Sequence, residues 1–245
     1  MRAPIHIVAS LLAALALATD AAAERVQTKT SDGFTLVGEL HAGRPQATAV
    51  VLLHMYRSDR TAWAPLVPRL REAGYTVLAL DQRAHGESTD QSGKAVRVGD
   101  LPSGAFGAFV RAGPLDVAAA RELLAARGLG QAGTVLIGAS YGCSVSLLAA
   151  AEQPGIASVV LLSPGAGYFG VDVMPAARGF AGALLAVAAE DDPGSARSTR
   201  AIAAAHAGAE PPIVYRTGGH GTRLFGPRPE VIDTILEFLA RSVGG

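Results

Sequence analysis

Gly133-Thr-Val-Leu-Ile-Gly-Ala-Ser-Tyr-Gly-Cys-Ser-Val-Ser-Leu-Leu-Ala-Ala150 runs an apolar strand into a helical pattern through Gly138-Ala139-Ser140-Tyr141-Gly142. A GxSxG sequence between a strand and a helix makes a sharp turn that presents its central serine, here Ser140, as a nucleophile. Such a turn crowds the chain against itself, and residues without a Cβ tolerate that approach on both flanks. The helix that follows aims its first amides toward the serine, where a developing oxyanion would be stabilised. The competing reading is an N-cap serine whose hydroxyl is used to hold a backbone amide.

Outward from this segment, the chain alternates two kinds of pattern. Ala47 to Leu53, Tyr75 to Leu80, Gly133 to Ile137, Ala157 to Leu162, Ala183 to Ala188 and Pro212 to Tyr215 are short apolar runs without polar alternation. Runs of that type are expected of parallel strands covered on both faces. Helical patterns at 60–73, 115–127, 144–152, 195–207 and 229–243 separate them. The alternation predicts an α/β fold with a mostly parallel central sheet and helices on both faces. Before it, Val26 to Leu40 holds two alternating stretches around Ser31-Asp32-Gly33, the chemistry of an antiparallel N-terminal hairpin. No repeat or composition break divides residues 24–245, which read as one domain.

Two connections are longer than turns: Gln82 to Pro114, with Phe106 and Phe109, and Pro164 to Ala181, with Tyr168 and Phe169. Both start beyond the carboxyl ends of strands, where open parallel sheets bind ligands. Phe106, Phe109 and Tyr168 are therefore candidate substrate contacts. The second connection is too short for a large cap, which predicts a shallow, open site unless the first folds over it.

A nucleophilic serine needs a base, and the base needs an orienting acid, in the chain order Ser, Asp or Glu, His. Of the two histidines after Ser140, His206 falls in an Ala-rich pattern and is expected at the exposed end of a helix. His220 lies in Thr217-Gly-Gly-His-Gly-Thr222 after a strand and is the candidate base. The strand from Ala183 ends in Glu190-Asp191-Asp192-Pro193. Asp192 is the first choice as acid because the residue before a proline is held extended, although Asp-Pro is also good N-cap and N1 chemistry. Asp191 and Glu190 remain alternatives.

The chain has 245 residues, 21 basic and 21 acidic, with 49% hydrophobic residues and one cysteine. Balanced, scattered charge gives no field that would draw a nucleic acid or an anionic membrane. Nor do the residues spell a metal-ligand spacing, a phosphate loop or a dinucleotide fingerprint, so no metal and no cofactor is implied. A single Cys143 permits no internal disulfide. At the N-terminus, Arg2, the uncharged run from Ile7 to Ala18 and the small residues up to Ala23 have the pattern of a secretory signal peptide at 1–23, too short for a membrane span. Cleavage after Ala23 would leave a periplasmic or secreted protein without a membrane anchor.

Leu53-His54, Leu80-Asp81-Gln-Arg-Ala-His-Gly-Glu-Ser88, the turn at Ser140, the carboxylates at 190–192 and Gly219-His220-Gly221 together resemble the α/β-hydrolase fold family in its usual chain order. The resemblance covers nearly all of Val26 to Val243 and is nearest to small serine esterases and dienelactone-hydrolase-like proteins. It implies that His54 begins the oxyanion turn and that the backbone amides of Tyr56 and Tyr141 are the oxyanion donors. Met55 stands where the family usually has glycine, which leaves Met55 or Tyr56 as the donor and adds Met55 to the candidate substrate contacts. Strict dienelactone hydrolases resemble this chain but carry cysteine where Ser140 stands; Cys143 lies in the helix, as a packed thiol. Ala189 replaces the family's usual glycine before the acid. The resemblance further implies that Asp81 and His85 hold the turn after their strand.

The expectation is thus an exported serine hydrolase of carboxylic esters or related small-molecule acyl compounds, with Ser140, Asp192 and His220 as triad. Acyl transfer or cofactor-free peroxidation on the same residues is one alternative, and a non-catalytic binding protein is another. Arg57, Arg83 and Arg223 lie near the site loops and could receive a substrate carboxylate, with solvated surface positions as the plainer expectation. Oligomeric state is not legible.

Overall fold

The computed structural model describes residues 23–243, so the leader expected at 1–23 lies, apart from Ala23, outside the described residues. The N-terminal hairpin forms as expected from β1 (Glu24–Lys29) and β2 (Phe34–His41), turning at Gly33 with φ 92°. The alternating part follows: β3 (Ala49–Leu53), α1 (Val67–Glu72), β4 (Thr76–Leu80), the small hairpin β5 (Asp90–Gln91) and β6 (Lys94–Ala95), α2 (Phe106–Ala112) and α3 (Pro114–Ala126). Then come β7 (Thr134–Ala139), α4 (Tyr141–Glu152), β8 (Ile156–Leu162), α5 (Met174–Gly179), β9 (Ala183–Ala189), α6 (Pro193–Ala205), β10 (Ile213–Tyr215) and α7 (Glu230–Val243).

All ten strands join one sheet in the order β10-β9-β8-β7-β3-β4-β2-β5-β6, with β1 on β2. The pairs from β10 to β4 are parallel, and β2 turns antiparallel against β4. Registers bring the carboxyl ends level: Leu53 pairs with both Leu80 and Gly138, Leu162 with Val187, and Ala189 with Tyr215. Every segment that carries a candidate site residue therefore leaves the sheet at the same edge. The sheet is covered on both faces. Val51, Leu53, Leu136, Val159 and Leu161 pack toward α2 to α6, while Val50, Leu52, Val135, Ile137 and Val160 pack toward α1 and α7.

The structure departs from the sequence reading in three places. The single helix expected over 60–73 is a 3-10 turn, Arg60–Trp63, followed by α1, because Pro65 and Pro68 lack amide donors and Pro68 can sit only in the first turn. Helix α4 begins at Tyr141, not Ser144, since the GxSxG turn leads directly into it. The connection from Gln82 to Pro114 is no open loop but holds β5, β6, a 3-10 turn at Val98–Asp100 and α2. Between β8 and β9 only a 3-10 turn, Tyr168–Gly170, and the six-residue α5 intervene. No helix of the described residues is long and apolar enough to cross a membrane.

Candidate active site

Ser140 sits at φ 55°, ψ −120°, in the left-handed half of backbone space that side chains other than glycine rarely adopt. Strain of that kind costs roughly 1–3 kcal/mol and persists where the surroundings over-determine it. Here the surroundings are backbone. A Cβ at Gly138 would lie 2.4 Å from the Gly142 carbonyl oxygen, and one at Gly142 would lie 2.2 Å from the Leu53 carbonyl oxygen. The amide of Ser140 donates to Leu162 and its carbonyl accepts from Cys143, both at 2.9 Å. The hydroxyl makes no capping bond to α4, so the N-cap reading does not hold.

The hydroxyl meets His220 instead. Ser140 Oγ lies 2.7 Å from His220 Nε2, and His220 Nδ1 lies 2.5 Å from Asp192 Oδ2. A proton on Nδ1, donated to the carboxylate, leaves Nε2 free to accept from the serine. Asp192 performs both functions open to it in the sequence: Oδ2 takes the histidine while Oδ1 caps α6 by accepting from the Ser195 amide at 3.4 Å. Burial works to raise the pKa of the Asp192 carboxyl, but the hydrogen bonds from His220 and Ser195 outweigh it and hold it below its ordinary value.

Asp191 has a different place. Its carboxylate accepts from the amides of Gly218 and Gly219 at 3.0–3.3 Å, fastening the loop that presents His220, and these bonds lower its pKa. Glu190 points away and pairs with Arg200. The loop is fixed from the other side by Ser163, whose Oγ accepts from the Gly221 amide at 2.9 Å. Sequence reasoning had not singled out Ser163; its position directly after β8, at the same sheet edge, is the signal that could have found it.

The turn after β3 is set by a buried histidine. His54 Nδ1 donates to the Met55 carbonyl at 2.8 Å, Nε2 accepts from the Gln82 amide at 3.0 Å, and Gln82 Nε2 donates to the His54 carbonyl at 2.7 Å. Burial, with His85 beside it, lowers the His54 pKa to about 3, so the ring is neutral. Among the described residues neither the Tyr56 nor the Tyr141 amide donates to another group. Asp81 is fully buried and ties the following turn by accepting from the Arg60 amide, the Arg60 guanidinium and the Glu87 amide. His85 Nδ1 faces the Arg83 carbonyl at 3.0 Å.

A cavity of about 470 Å³ lies beside this turn, walled by the rings of Tyr56, Phe106 and Phe169 and by Val98, Leu101 and Pro102. The first connection thus walls a cavity next to the oxyanion turn, and none of Ser140, Asp192 and His220 lines it. Of the candidate contacts, Phe106 lines the cavity. Phe109 does not: it is stacked on Phe106 at 6.1 Å and edge-on to Phe34, half-buried against the core. Tyr168 stands across the site, its ring 6.3 Å from His220 and its hydroxyl 2.8 Å from Ser195 Oγ; burial pushes its pKa up to about 12. Met55 packs toward the α1 and α7 side, its sulfur 4.0 Å from Thr222 Oγ1 beside the His220 loop. Phe169, noted in the sequence only as loop aromatic content, is a cavity wall.

Three expectations are corrected. Arg83 is no solvated surface residue: it is buried, and its guanidinium bridges the buried Asp116 and Asp32. His206 is buried and not at an exposed helix end, because its ring packs 5.5 Å from Phe180. Phe109, expected as a substrate contact, does not line the cavity and packs against the core instead. Cys143 is buried, its sulfur facing the Gly138 and Leu162 carbonyls, and burial pushes its pKa far up, so it stays a thiol. Among the described residues no group of three or more His, Cys, Asp or Glu side chains is arranged to hold a metal ion.

Comparison with known proteins bears on this arrangement. A family model described as alpha/beta hydrolase fold matches residues 48–208. Of solved structures, an esterase of Pyrococcus furiosus superposes with a TM-score of 0.73 at 22% identity over 91% of this chain and 92% of its own. A dienelactone hydrolase of Anabaena variabilis gives 0.70 at 17% identity over 91% and 98%. Epoxide hydrolase A of Mycobacterium tuberculosis is 42% identical over 50 residues, 20% of this chain, and the chain spans only 16% of that relative's length.

Proposed function

The chain belongs to the alpha/beta hydrolase fold family, and from that premise we propose that it is a serine hydrolase cleaving a carboxylic ester or related acyl bond of a small molecule. The observation that carries the reading is the unbroken chain from Ser140 Oγ through His220 to Asp192, at 2.7 and 2.5 Å. In this reading Ser140 attacks the carbonyl carbon while His220 Nε2 takes its proton. Asp192 fixes the tautomer and stabilises the imidazolium that forms. The carbonyl oxygen, as it becomes an anion, is held by the amide of Tyr56 in the turn after β3 and that of Tyr141 at the N-terminus of α4. His220 then returns the proton to the leaving oxygen, and water, activated by the same histidine, releases the acid from the acyl-enzyme.

The 50-residue likeness to an epoxide hydrolase brings no substrate with it, since it covers so little of that protein. The esterase and dienelactone hydrolase superpositions support an acyl substrate only through the shared fold. A fluorophosphonate probe on the protein tests the reading directly. Covalent labelling at Ser140, lost in Ser140→Ala, is expected; an unlabelled protein with an intact circular-dichroism spectrum would mean a binding protein on the same fold. We also propose export, with removal of 1–23; N-terminal sequencing of the protein recovered outside the cytoplasm should begin at Glu24.

A further inference from the structure

Among the described residues, a guanidinium without a carboxylate partner lines the aromatic cavity. Arg57 directly follows Tyr56 and lines the cavity, exposed at its rim. Its backbone takes the left-handed conformation, φ 57°, and its guanidinium carbon lies 5.5 Å from the centroid of the Tyr56 ring. The arginines of the neighbouring turns are saturated: Arg60 by Asp81 and Glu87, and Arg83 by Asp116 and Asp32. Arg57 has no carboxylate within ion-pair distance among the described residues. Asp59, two residues on, accepts from the amide and hydroxyl of Thr61, and Asp100, beside the wall residues Gly99 and Leu101, is exposed and does not line the cavity.

The direction of the substrate follows from the two sides of the site. The leaving oxygen must lie beside His220, which protonates it, and His220 is flanked by Tyr168. The cavity is lined by neither Ser140 nor His220; of the residues in the proposed mechanism it includes Tyr56, whose backbone amide is one of the two oxyanion donors there and whose ring is a wall. The group bonded to the carbonyl carbon, and not the leaving group, therefore enters the cavity. One side of it is aromatic, with Phe169 and Phe106 rings 4.7 Å apart and Phe169 5.0 Å from Tyr56, a surface on which a flat body can lie, while Gly99, Ser103 and Gly104 make its lining mixed in polarity. Arg57 lines the same cavity with a planar donor fork able to hold a carboxylate in two parallel hydrogen bonds.

We propose that the substrate is an ester whose acyl part has an apolar, ring-sized body in the cavity and a distal carboxylate on Arg57. This rests on the serine-hydrolase reading. Hydrolysis of such an ester consumes one water and releases the alcohol and a dicarboxylic acid.

The test compares 4-nitrophenyl 4-carboxybenzoate with 4-nitrophenyl 4-carbamoylbenzoate, which share shape and leaving group and differ in charge. A charge-assisted contact of an exposed guanidinium is worth roughly a few-fold, so kcat/KM should favour the carboxylate by about three- to five-fold at low salt. In Arg57→Gln the ratio should fall to near one, while Arg57→Lys should keep part of it, and added salt should lower the ratio of the unaltered protein only. A ratio near one in the unaltered protein, or the same ratio in Arg57→Gln, would overturn the proposal. Turnover of 4-nitrophenyl acetate and fluorophosphonate labelling of Ser140 report separately on the hydrolase reading. Where both are seen and the ratio is near one, only the carboxylate pocket fails; where neither is seen in folded protein, both fail.

Discussion

The turn at Ser140 and the cavity around Phe106 stand side by side at the same edge of the sheet, yet different forces hold them. At the turn, backbone packs on backbone. Gly138 meets Gly142, Gly142 meets the Leu53 and His54 carbonyls, and the His220 loop hangs from Asp191 and Ser163 by its amides. The cavity is walled by side chains on short elements, where ring contacts of 4.7–5.0 Å among Tyr56, Phe106 and Phe169 take the place of a ladder. Backbone contacts define positions to fractions of an ångström, whereas ring contacts tolerate several packings. In the proposed reading chemistry falls to the stiff part and selection to the adaptable one, and substitutions should separate the two.

The largest effect is expected from the stiff part. Asp192→Asn keeps the shape but removes the charge that stabilises the imidazolium, and kcat should fall on the order of 10⁴-fold. Asp191→Asn retains a carbonyl oxygen for one loop amide and should cost about ten-fold or less, since it disturbs the placing of His220 and not its protonation. Ester kinetics on both variants check this, and equal losses would show that the loop clamp and the acid are inseparable. Next comes Gly142→Ala. Its methyl would meet the Leu53 carbonyl at 2.2 Å, where no flexible side chain can yield. Overpacking against backbone should cost about 3 kcal/mol or more of stability, read from urea unfolding, because β3 or α4 must move.

This division also explains what could be read from the sequence. The GxSxG segment was legible because glycines at two flanks of a strand-to-helix turn answer to a steric demand that propensity and spacing express directly. Parallel strands were legible from unalternating apolar runs, and His220 and Asp192 from their places after strands. The fate of Arg83 was not, since its partners Asp32 and Asp116 come from the N-terminal hairpin and from α3, 51 and 33 residues away. Nor was the division between Phe106 and Phe109, which lie one turn apart on α2 with only the first reaching the cavity. Such choices depend on how α2 lies on the sheet, a tertiary matter that local pattern does not carry. The helix at 60–73 was misread for a local reason: two prolines were outweighed by the apolar spacing around them.

Between the stiff and the adaptable part lies a shared layer of neutral histidines. The His54 ring is 6.2 Å from Tyr141, and the His85 ring is 6.0 Å from Tyr56 and 5.6 Å from Phe106. Burial lowers both pKa values, that of His54 to about 3. The unfolded chain takes up these protons as pH falls below about 6.5 while the folded chain refuses them, so stability falls with pH in that window, down to about pH 3 for His54. Each such histidine contributes up to about 1.4 kcal/mol per pH unit. Asp32, Asp59, Asp191 and Asp192, whose pKa values are lowered, lose stability in the same direction but only as pH nears 4. Urea midpoints should therefore already be lower at pH 5 than at pH 7; identical midpoints would mean that the fold accepts the protons.

The smallest change tests the adaptable part by itself. Phe169 is 41% exposed and is carried on a 3-10 turn at φ 53°, so little of the fold depends on it. Removing its ring deletes edge-to-face contacts with Phe106 and, at 6.5 Å, with Tyr141 and one tilted contact with Tyr56, together worth about 1 kcal/mol for so exposed a ring. Phe169→Ala should then lower the melting temperature by only about 2–4 °C. In kinetics the loss should fall on binding: KM for a 4-nitrophenyl ester with a ring in its acyl part should rise several-fold, and by more than KM for the acetate, with kcat reduced far less than in Asp192→Asn. A kcat loss as deep as that of Asp192→Asn would show that the aromatic wall holds the oxyanion turn through Tyr56 and that selection and chemistry share one structure. A rise in KM confined to the bulky ester would place the boundary between them at Tyr56, whose amide serves one part and whose ring serves the other.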